Sequence, residues 1–469
     1  MSRLEKHILA KVISLTKGIR SQEPKARAAS LASFYSGTKA DFPLSTGMIV
    51  QWWLTERAEI DSLDIAHMAM LNDPSLKDGD QKTFSRVIMS TLQKNAWNTE
   101  LFNGGSFFSK HVPTLFNAKK IKHSQEFARK LWEVIHRSLL DSITEWLVLY
   151  PLPRIKSRSI SLGFDGISLL RADDKGTWQD LSEKYFWIKH WSPLTGEHGA
   201  GQKLPFSITQ YRLAQPLTWL ACERKGTELG ATKNSRKLVS TFLSVLFSHL
   251  RIRDPRVLDK IIDDSPLPFF RFSASKQIYS GTRPIFYRLK DEIEILEEDL
   301  EFIYNWYIKF SKISEERQRR TRLCTQFMQK GMNDRGTDEF IYYFIALDAL
   351  FGIRGNVERS IADGISNIFI NDKKWMEKVG WLFDLRSDIL HGGSSEIEDW
   401  EKLPRYIRYF KTEPLKDVGF AAMTSLMIYP ELDEVVLSPD SRISAILKRL
   451  ITYFKRLYFR VLSIHNPTY

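Results

Sequence analysis

The chain has 469 residues, 43% hydrophobic and 26% charged, a globular composition that excludes intrinsic disorder and provides for two or three domains. Lys+Arg 68 against Asp+Glu 56 gives a net charge of +12 and an isoelectric point near 9.4, which favours a polyanionic partner such as nucleic acid. Two distant cysteines (Cys222, Cys324), a charged start with no signal-peptide core and no apolar run of membrane-spanning length predict a reduced, cytoplasmic protein with no membrane partner.

Residues 1 to about 150 read as mainly helical. The clearest stripe starts after Ser124 and carries Phe127, Leu131, Ile135, Leu139, Ile143 and Trp146, stopping at Pro151-Leu152-Pro153. Trp52, Trp53, Trp97, Trp132 and Trp146 read as core anchors rather than base-stacking platforms. The pattern turns to strands over about 155–210. Ile160, Leu162 and Phe164 alternate with small or polar residues, and Asp165-Gly166 then leads to an apolar run over 167–170, a hairpin signal. Tyr185-Phe186-Trp187-Ile188 predicts another strand. Helices resume near 238–250, and connectors over 263–268 and 281–284 put the main boundary near 285.

From 286 onward the chain reads as a helical bundle. Leu289, Ile293, Leu296, Leu300, Ile303, Tyr307 and Phe310 alternate by four and three, with Glu292, Glu294, Glu297 and Glu298 on the outer face. The basic patch Arg317, Arg319, Arg320 and Arg322 reads equally as a guide for RNA or as a solvated helix face. A second helix, N-capped by Thr337, carries Phe340, Phe344, Leu347 and Phe351. The third contains Arg386 and His391. A fourth, over 441–463, has Ile443, Leu447, Leu450, Phe454, Leu457 and Val461 inward. The expected fold class is α+β, predominantly α: a mixed helix/strand region over 1–285 and an antiparallel helical bundle over 286–469. The long connection from Gly393 to Asp440 implies an insertion.

The third helix carries the chemistry. Trp375, Val379, Leu382 and Ile389 mark its apolar line, and Arg386 falls on that line. A guanidinium placed there calls for a charged partner, an interface or an anionic ligand. His391 lies about 140° round the helix, in the last turn, where exposed carbonyl ends attract a cation. Gly392-Gly393 then stops the helix. A permanent cation beside an acid/base group is the minimum equipment for breaking a phosphodiester without metal.

The run Leu385-Arg386-Ser387-Asp388-Ile389-Leu390-His391-Gly392 resembles the arginine-x4-histidine signature of HEPN domains, especially their Apea-like branch. Upstream, Phe344-Ile345-Ala346-Leu347-Asp348-Ala349-Leu350-Phe351 resembles that branch's acidic helix, with Asp348 where the family usually has Glu. Between them, Glu358-Arg359-Ser360-Ile361-Ala362-Asp363-Gly364-Ile365 resembles its connecting segment. The likeness covers roughly 289–462.

The resemblance implies a metal-independent, cofactor-free endoribonuclease in which the ribose 2′-hydroxyl attacks its own phosphate. His391 would move a proton and Arg386 would stabilise the phosphorane-like oxygens, supported by Asp348, Ser387 and Asp388. It further implies RNA as partner and a homodimer whose two Arg/His sets face one groove. A toxin or anti-phage role would follow, with 1–285 as a sensor or recognition unit for an activator or partner protein. HEPN targets of a nucleotidyltransferase resemble R-x4-H-x-Y, and Gly393 stands where that tyrosine would be. The alternative is a non-catalytic RNA-binding or assembly module, with Arg386 a core arginine paired to Asp348.

Metal chemistry is not expected. His190, His198 and Glu197 lack a regular ligand spacing. Asp165 with Asp173 and Lys175 faintly suggests a metal-dependent nuclease, yet Asp173-Asp174-Lys175-Gly176 reads more simply as a turn. There is no GxxxxGK[ST] loop and no GxSxG elbow.

Overall fold

A computed structural model describes residues 3–20, 29–35, 49–96, 101–102, 112–164, 166–193, 218–254, 268–275, 278–282, 291–369 and 372–432. The expected fourth helix over 441–463 lies outside these residues. The fold is α+β and predominantly helical. No helix of the described residues is long and apolar enough to cross a membrane.

The first unit takes its residues from 1–146, 224–234 and 273–275. Its helices are α1 (Arg3–Gly18), α2 (Glu56–Asn72), α3 (Gln81–Ala96) and α4 (Ser124–Asp141). Their stripes meet in one core that includes Ile8, Val12, Ile65, Phe84, Ile88, Phe127, Leu131 and Ile135. A sheet of β1 (Ile19–Arg20), β2 (Ala29–Tyr35) and β3 (Ile49–Thr55) accompanies them, in the order β1-β3-β2. Strands β2 and β3 pair antiparallel from Ala29↔Thr55 to Tyr35↔Ile49. The helical expectation for the first 150 residues missed this sheet, although Ile49-Val50-Gln51-Trp52-Trp53 is β-branched and aromatic.

The stripe after Ser124 also ends early. Phe127, Leu131, Ile135 and Leu139 are buried on α4, but the helix closes at Asp141 and Trp146 belongs to strand β4 (Thr144–Leu152). The segment Trp146-Leu147-Val148-Leu149-Tyr150 is apolar without interruption, as a strand buried on both faces must be. Trp146 is a core residue, as expected, and Trp53 and Trp132 are half-buried. Trp97 and the side chain of Trp52 lie outside the described residues.

The second unit takes its residues from 147–223, 235–272 and 276–469. After β4 come β5 (Ile155–Lys156), β6 (Ile160–Ser161), β7 (Ile167–Arg171), α5 (Lys175–Lys184), β8 (Thr218–Gly226), α6 (Glu228–Arg253), β9 (Pro268–Ser273), β10 (Ile278–Thr282) and β11 (Ile293–Glu294). Six strands form one sheet in the order β10-β9-β4-β8-β7-β6, while β5 and β11 pair parallel. The predicted hairpin is present, with Ile160↔Leu169 and Ser161↔Ser168 in register. Asp165 lies outside the described residues.

Alternation along these strands decides which side each residue serves. Ile167 and Leu169 of β7 join Leu220 and Cys222 of β8 in a core that includes α6 residues such as Phe242 and Leu246. Leu170, Trp219 and Ala221 turn to the other face, under Trp178, Tyr185, Ile188 and Trp191. The predicted strand at 185–188 is instead a 3₁₀ helix, Phe186–His190. Buried Tyr185, Ile188 and Trp191 recur every third residue, the 3₁₀ repeat rather than a strand's period of two.

No boundary falls near 285. One core runs from Val148 through Phe242 to Phe344, Leu382 and Leu432, so the strands and the later helices share a unit. Those helices are α7 (Glu297–Lys312), α8 (Glu315–Asn333), α9 (Gly336–Phe351), α10 (Val357–Ile368), α11 (Lys373–Leu390), α12 (Leu403–Phe410) and α13 (Pro414–Ile428). Helix α7 starts eight residues later than its apolar stripe, because Ile293-Glu294 pairs with β5 and Asp299 caps the backbone N–H of Leu296. Thr337 donates to Glu396 instead of capping α9.

The supposed insertion over 393–440 contains α13, whose Val418, Ala421, Ala422, Met423 and Leu426 are all buried. Its neighbour Tyr343 of α9 lies against Gly331 of α8 and Gly419 of α13. A Cβ on Gly331 would meet the Tyr343 ring at 2.9 Å, so the small residues are what lets these helices approach.

Asp299 is buried at the start of α7. Burial pushes its carboxyl up, but His249 at 2.8 Å, the Leu296 N–H and Arg253 together hold it below the ordinary value. A depressed folded-state pKa gives stability that is present above the ordinary carboxyl value and lost as pH falls through the folded one. Asp299→Asn is therefore expected to flatten the acid limb of the stability curve below about pH 4, read from urea unfolding at a series of pH values. An unchanged acid limb would remove Asp299 from this role.

Candidate active site

Helix α11 positions the pair singled out in the sequence. Asp372 caps its start by accepting from the Lys374 N–H. Trp375, Val379, Leu382, Phe383 and Leu385 are buried, and they anchor the helix in the core. Arg386 continues that line and is half-buried. Its guanidinium lies over the ring of Phe344 on α9, 5.4 Å from the centroid, and Phe344 in turn meets Phe383 edge-on at 4.8 Å. The cation is thus seated on an aromatic face, which holds it by its π-electrons without consuming its N–H donors.

The expected Asp348–Arg386 ion pair does not form. Asp348 lies one turn after Phe344, and its carboxylate turns toward Gly352, where an added Cβ would stand 1.8 Å from Oδ1. Among the described residues, no carboxylate pairs with Arg386 and no hydrogen bond holds its guanidinium. Ser387 is exposed and Asp388 half-buried.

His391 caps the helix and is exposed; its backbone N–H reaches the carbonyls of Ser387 and Ile389. Gly392 has φ +77, its N–H donates to Ile389 O, and the Gly393 N–H donates to Asp388 O at 2.7 Å. That double closure is a Schellman stop. The left-handed backbone at Gly392 strains any L side chain. Gly392→Ala is expected to lower stability by about 1 kcal/mol in denaturant unfolding, and a neutral effect would contradict the capping account.

Arg386 and His391 leave the helix in different sectors, about 140° apart at 100° per residue, and about 7.5 Å apart along the axis. By the same spacing His391 shares a sector with Asp384 and Asp388. Here the structure adds a residue that sequence spacing alone did not signal. Lys402, at the start of α12, pairs with Asp384 and lies within electrostatic reach of Asp388. The hydrogen bond to Asp384 is the largest cause that raises its pKa above the ordinary lysine value.

The arginine patch is not a free cationic surface. Arg317 is buried and donates to the carbonyl of Tyr429, its guanidinium 4.9 Å from that ring's centroid. Arg319 forks onto Glu316, while Arg320 is divided between Glu316 and the carbonyls of Leu350 and Gly352. Arg322 donates to Gln318. Three of the four arginines therefore serve the helix packing or local ion pairs first. At 173–176 the turn reading fits: Asp173 pairs with Arg171, and Asp174 caps α5 through Thr177. No group of three His, Cys, Asp or Glu among the described residues could hold a metal ion; His198 and Glu197 lie outside them.

Comparison with family models, curated proteins and solved structures finds no match to this chain. The functional reading therefore rests on the site's own chemistry and on the motif resemblance.

Proposed function

We propose that the C-terminal turn of α11 is the catalytic element of a metal-independent endoribonuclease of HEPN type. The observation that carries this reading is Arg386: half-buried, seated on Phe344, and bound to no carboxylate among the described residues. An arginine on an apolar line is costly unless something anionic meets it, and a phosphate is such a partner. His391, exposed at the helix end, is the group available to move a proton at the same substrate.

In this mechanism the 2′-hydroxyl attacks the adjacent phosphorus and the 5′-oxygen leaves. His391 removes the hydroxyl proton or delivers one to the leaving oxygen. Arg386 donates to the equatorial oxygens as their charge grows. Because Arg386 and His391 point to different sectors of one helix, the proposal includes a second copy of the chain, whose α11 end supplies the complementary group across a shared groove. RNA is the substrate because the attacking group is absent from DNA. A toxin or anti-phage role, with the first 285 residues in recognition, extends the resemblance and not the geometry.

The test is incubation of purified protein with total RNA in EDTA, followed by end-group mapping. Cleavage products ending in 2′,3′-cyclic or 3′-phosphate are expected. Cleavage that stops with EDTA, or that leaves 3′-hydroxyl ends, rejects the mechanism. The second reading, RNA binding or assembly without cleavage, draws on the Phe344 seat itself, since stacking there also makes Arg386 a packing residue. RNA retained but uncut under all conditions favours it.

A further inference from the structure

The parallel pair β5–β11 ends abruptly. Ile293 N–H donates to Arg154 O at 2.8 Å and Ile295 N–H donates to Lys156 O at 2.9 Å. Past that point the two segments separate: one continues through Ser157 and Arg158, the other enters α7 at Glu297. A cleft of about 410 Å³ opens where they part, floored by Leu296 and Leu300 and walled by Arg158, Arg171, Asp173 and Glu297. This volume lies in the small-molecule range.

The two guanidiniums are held in place by carboxylates. Arg158 Nη2 donates to Glu297, and Arg171 grips Asp173 with Nε at 2.6 Å and Nη2 at 3.0 Å. Exposed pairs of this kind stabilise the fold little. Asp173 and Glu297 line the same cleft and aim the cations from its walls. A guanidinium has five N–H donors; the contacts with described residues use one on Arg158, and on Arg171 only those facing Asp173. The remaining donors are available to a guest without breaking either pair. Lys156, paired with Glu292, brings a third cation to the same wall.

The opposite wall is fixed from behind. Asp299 accepts from the Leu296 N–H at 2.8 Å, and Arg253 donates to the Glu294 carbonyl at 3.2 Å. Binding would therefore meet a preorganised surface rather than a collapsing one.

The geometry points to a binding site for a small phosphate monoester. Its phosphate sits between Arg158 and Arg171 within reach of Lys156, and its body covers Leu296 and Leu300. Asp173, Glu294 and Glu297 share the lining with the three cations, so the phosphate is held by the donors that the ion pairs leave over, enough for the three oxygens of a monoester, where a carboxylate offers only two. The apolar floor distinguishes this site from one for bare anions. It is independent of the RNA-cleavage reading.

The test titrates AMP into the full-length protein by calorimetry, with inorganic phosphate and adenosine as separate arms. AMP is expected to saturate. Phosphate should bind about tenfold more weakly or less, and adenosine should give no saturable heat. Arg158→Ala should weaken AMP by about tenfold or more with an unchanged melting curve, because this side chain is exposed. Glu297→Gln keeps a hydrogen-bonding neighbour for Arg158 and should weaken AMP less than Arg158→Ala. No saturable AMP binding overturns the site, as does wild-type affinity in Arg158→Ala. Equal affinities for phosphate and AMP overturn the role of the apolar floor, and equal affinities for adenosine and AMP overturn that of the cations.

Discussion

Replacing His391 with alanine is expected to lower metal-independent RNA cleavage by about 10²–10⁴-fold, the usual contribution of a positioned proton-transfer group. Folding should be unaffected within about 0.5 kcal/mol, because the side chain is exposed and the helix stop is made by Gly392 and Gly393 backbone. Arg386→Ala should reduce cleavage by about 10²-fold or more, with a further loss of about 1 kcal/mol in stability from the vacated Phe344 face. Arg386→Lys tests the shape of the cation: a lysine keeps the charge but not the planar fork, and should rescue cleavage only in part. Mixing the two single variants is informative as well. If a second copy completes the site, Arg386→Ala and His391→Ala protomers should restore part of the activity in the mixed dimer. Full activity in His391→Ala alone ends the catalytic assignment.

The largest expected effect on stability lies behind the same helix. Asp417 of α13 accepts from Lys378 of α11 and from the Tyr406 hydroxyl of α12, both at 2.7 Å. Lys378 and Asp417 are 13% and 8% exposed at their side chains, so the pair ties three helices together inside the fold. Burial pushes the Asp417 carboxyl up despite Lys378 beside it, and burial together with Asp417 pushes the Tyr406 hydroxyl up. Asp417→Ala leaves a buried ammonium uncompensated and is expected to cost about 3–5 kcal/mol in denaturant unfolding. Tyr406→Phe removes only a hydrogen bond and should cost about 1 kcal/mol. A loss below about 1 kcal/mol in Asp417→Ala would show that Lys378 escapes to water when its partner is gone. Because Lys378 lies two turns before Arg386 on α11, Asp417→Ala should also reduce any cleavage that depends on the helix end.

What was legible in the sequence had local causes. The end of α11 could be read from Gly392-Gly393, since only a left-handed residue closes that stop. The stripe Phe127, Leu131, Ile135 and Leu139 and the hairpin at 160–170 could be read because one face of each is buried. The rest depended on distant partners. Helix α13 has no polar face to make a stripe, being enclosed by α9, α8 and α10, so its run Ala421-Ala422-Met423-Thr424-Ser425-Leu426 carried no period. Trp146 fitted the α4 stripe by spacing but belongs to a strand whose neighbours are more than seventy residues away. Within the candidate site, Asp348's place on the edge of its helix's apolar stripe and the family resemblance suggested it as the arginine's companion; the fold provides Phe344 instead, one turn earlier on the same helix. Lys402 was invisible because its tie to Asp384 depends on how the chain returns after the glycines.

The segmented make-up of the first unit has a consequence for synthesis. Its last pieces, 224–234 and 273–275, leave the ribosome more than eighty and more than a hundred and thirty residues after α4 ends, and the Tyr150 ring of β4 waits for Phe269, which stacks on it. At about 5–20 residues per second, that partner follows Tyr150 only after several seconds, an interval in which a chaperone can cover the exposed ring.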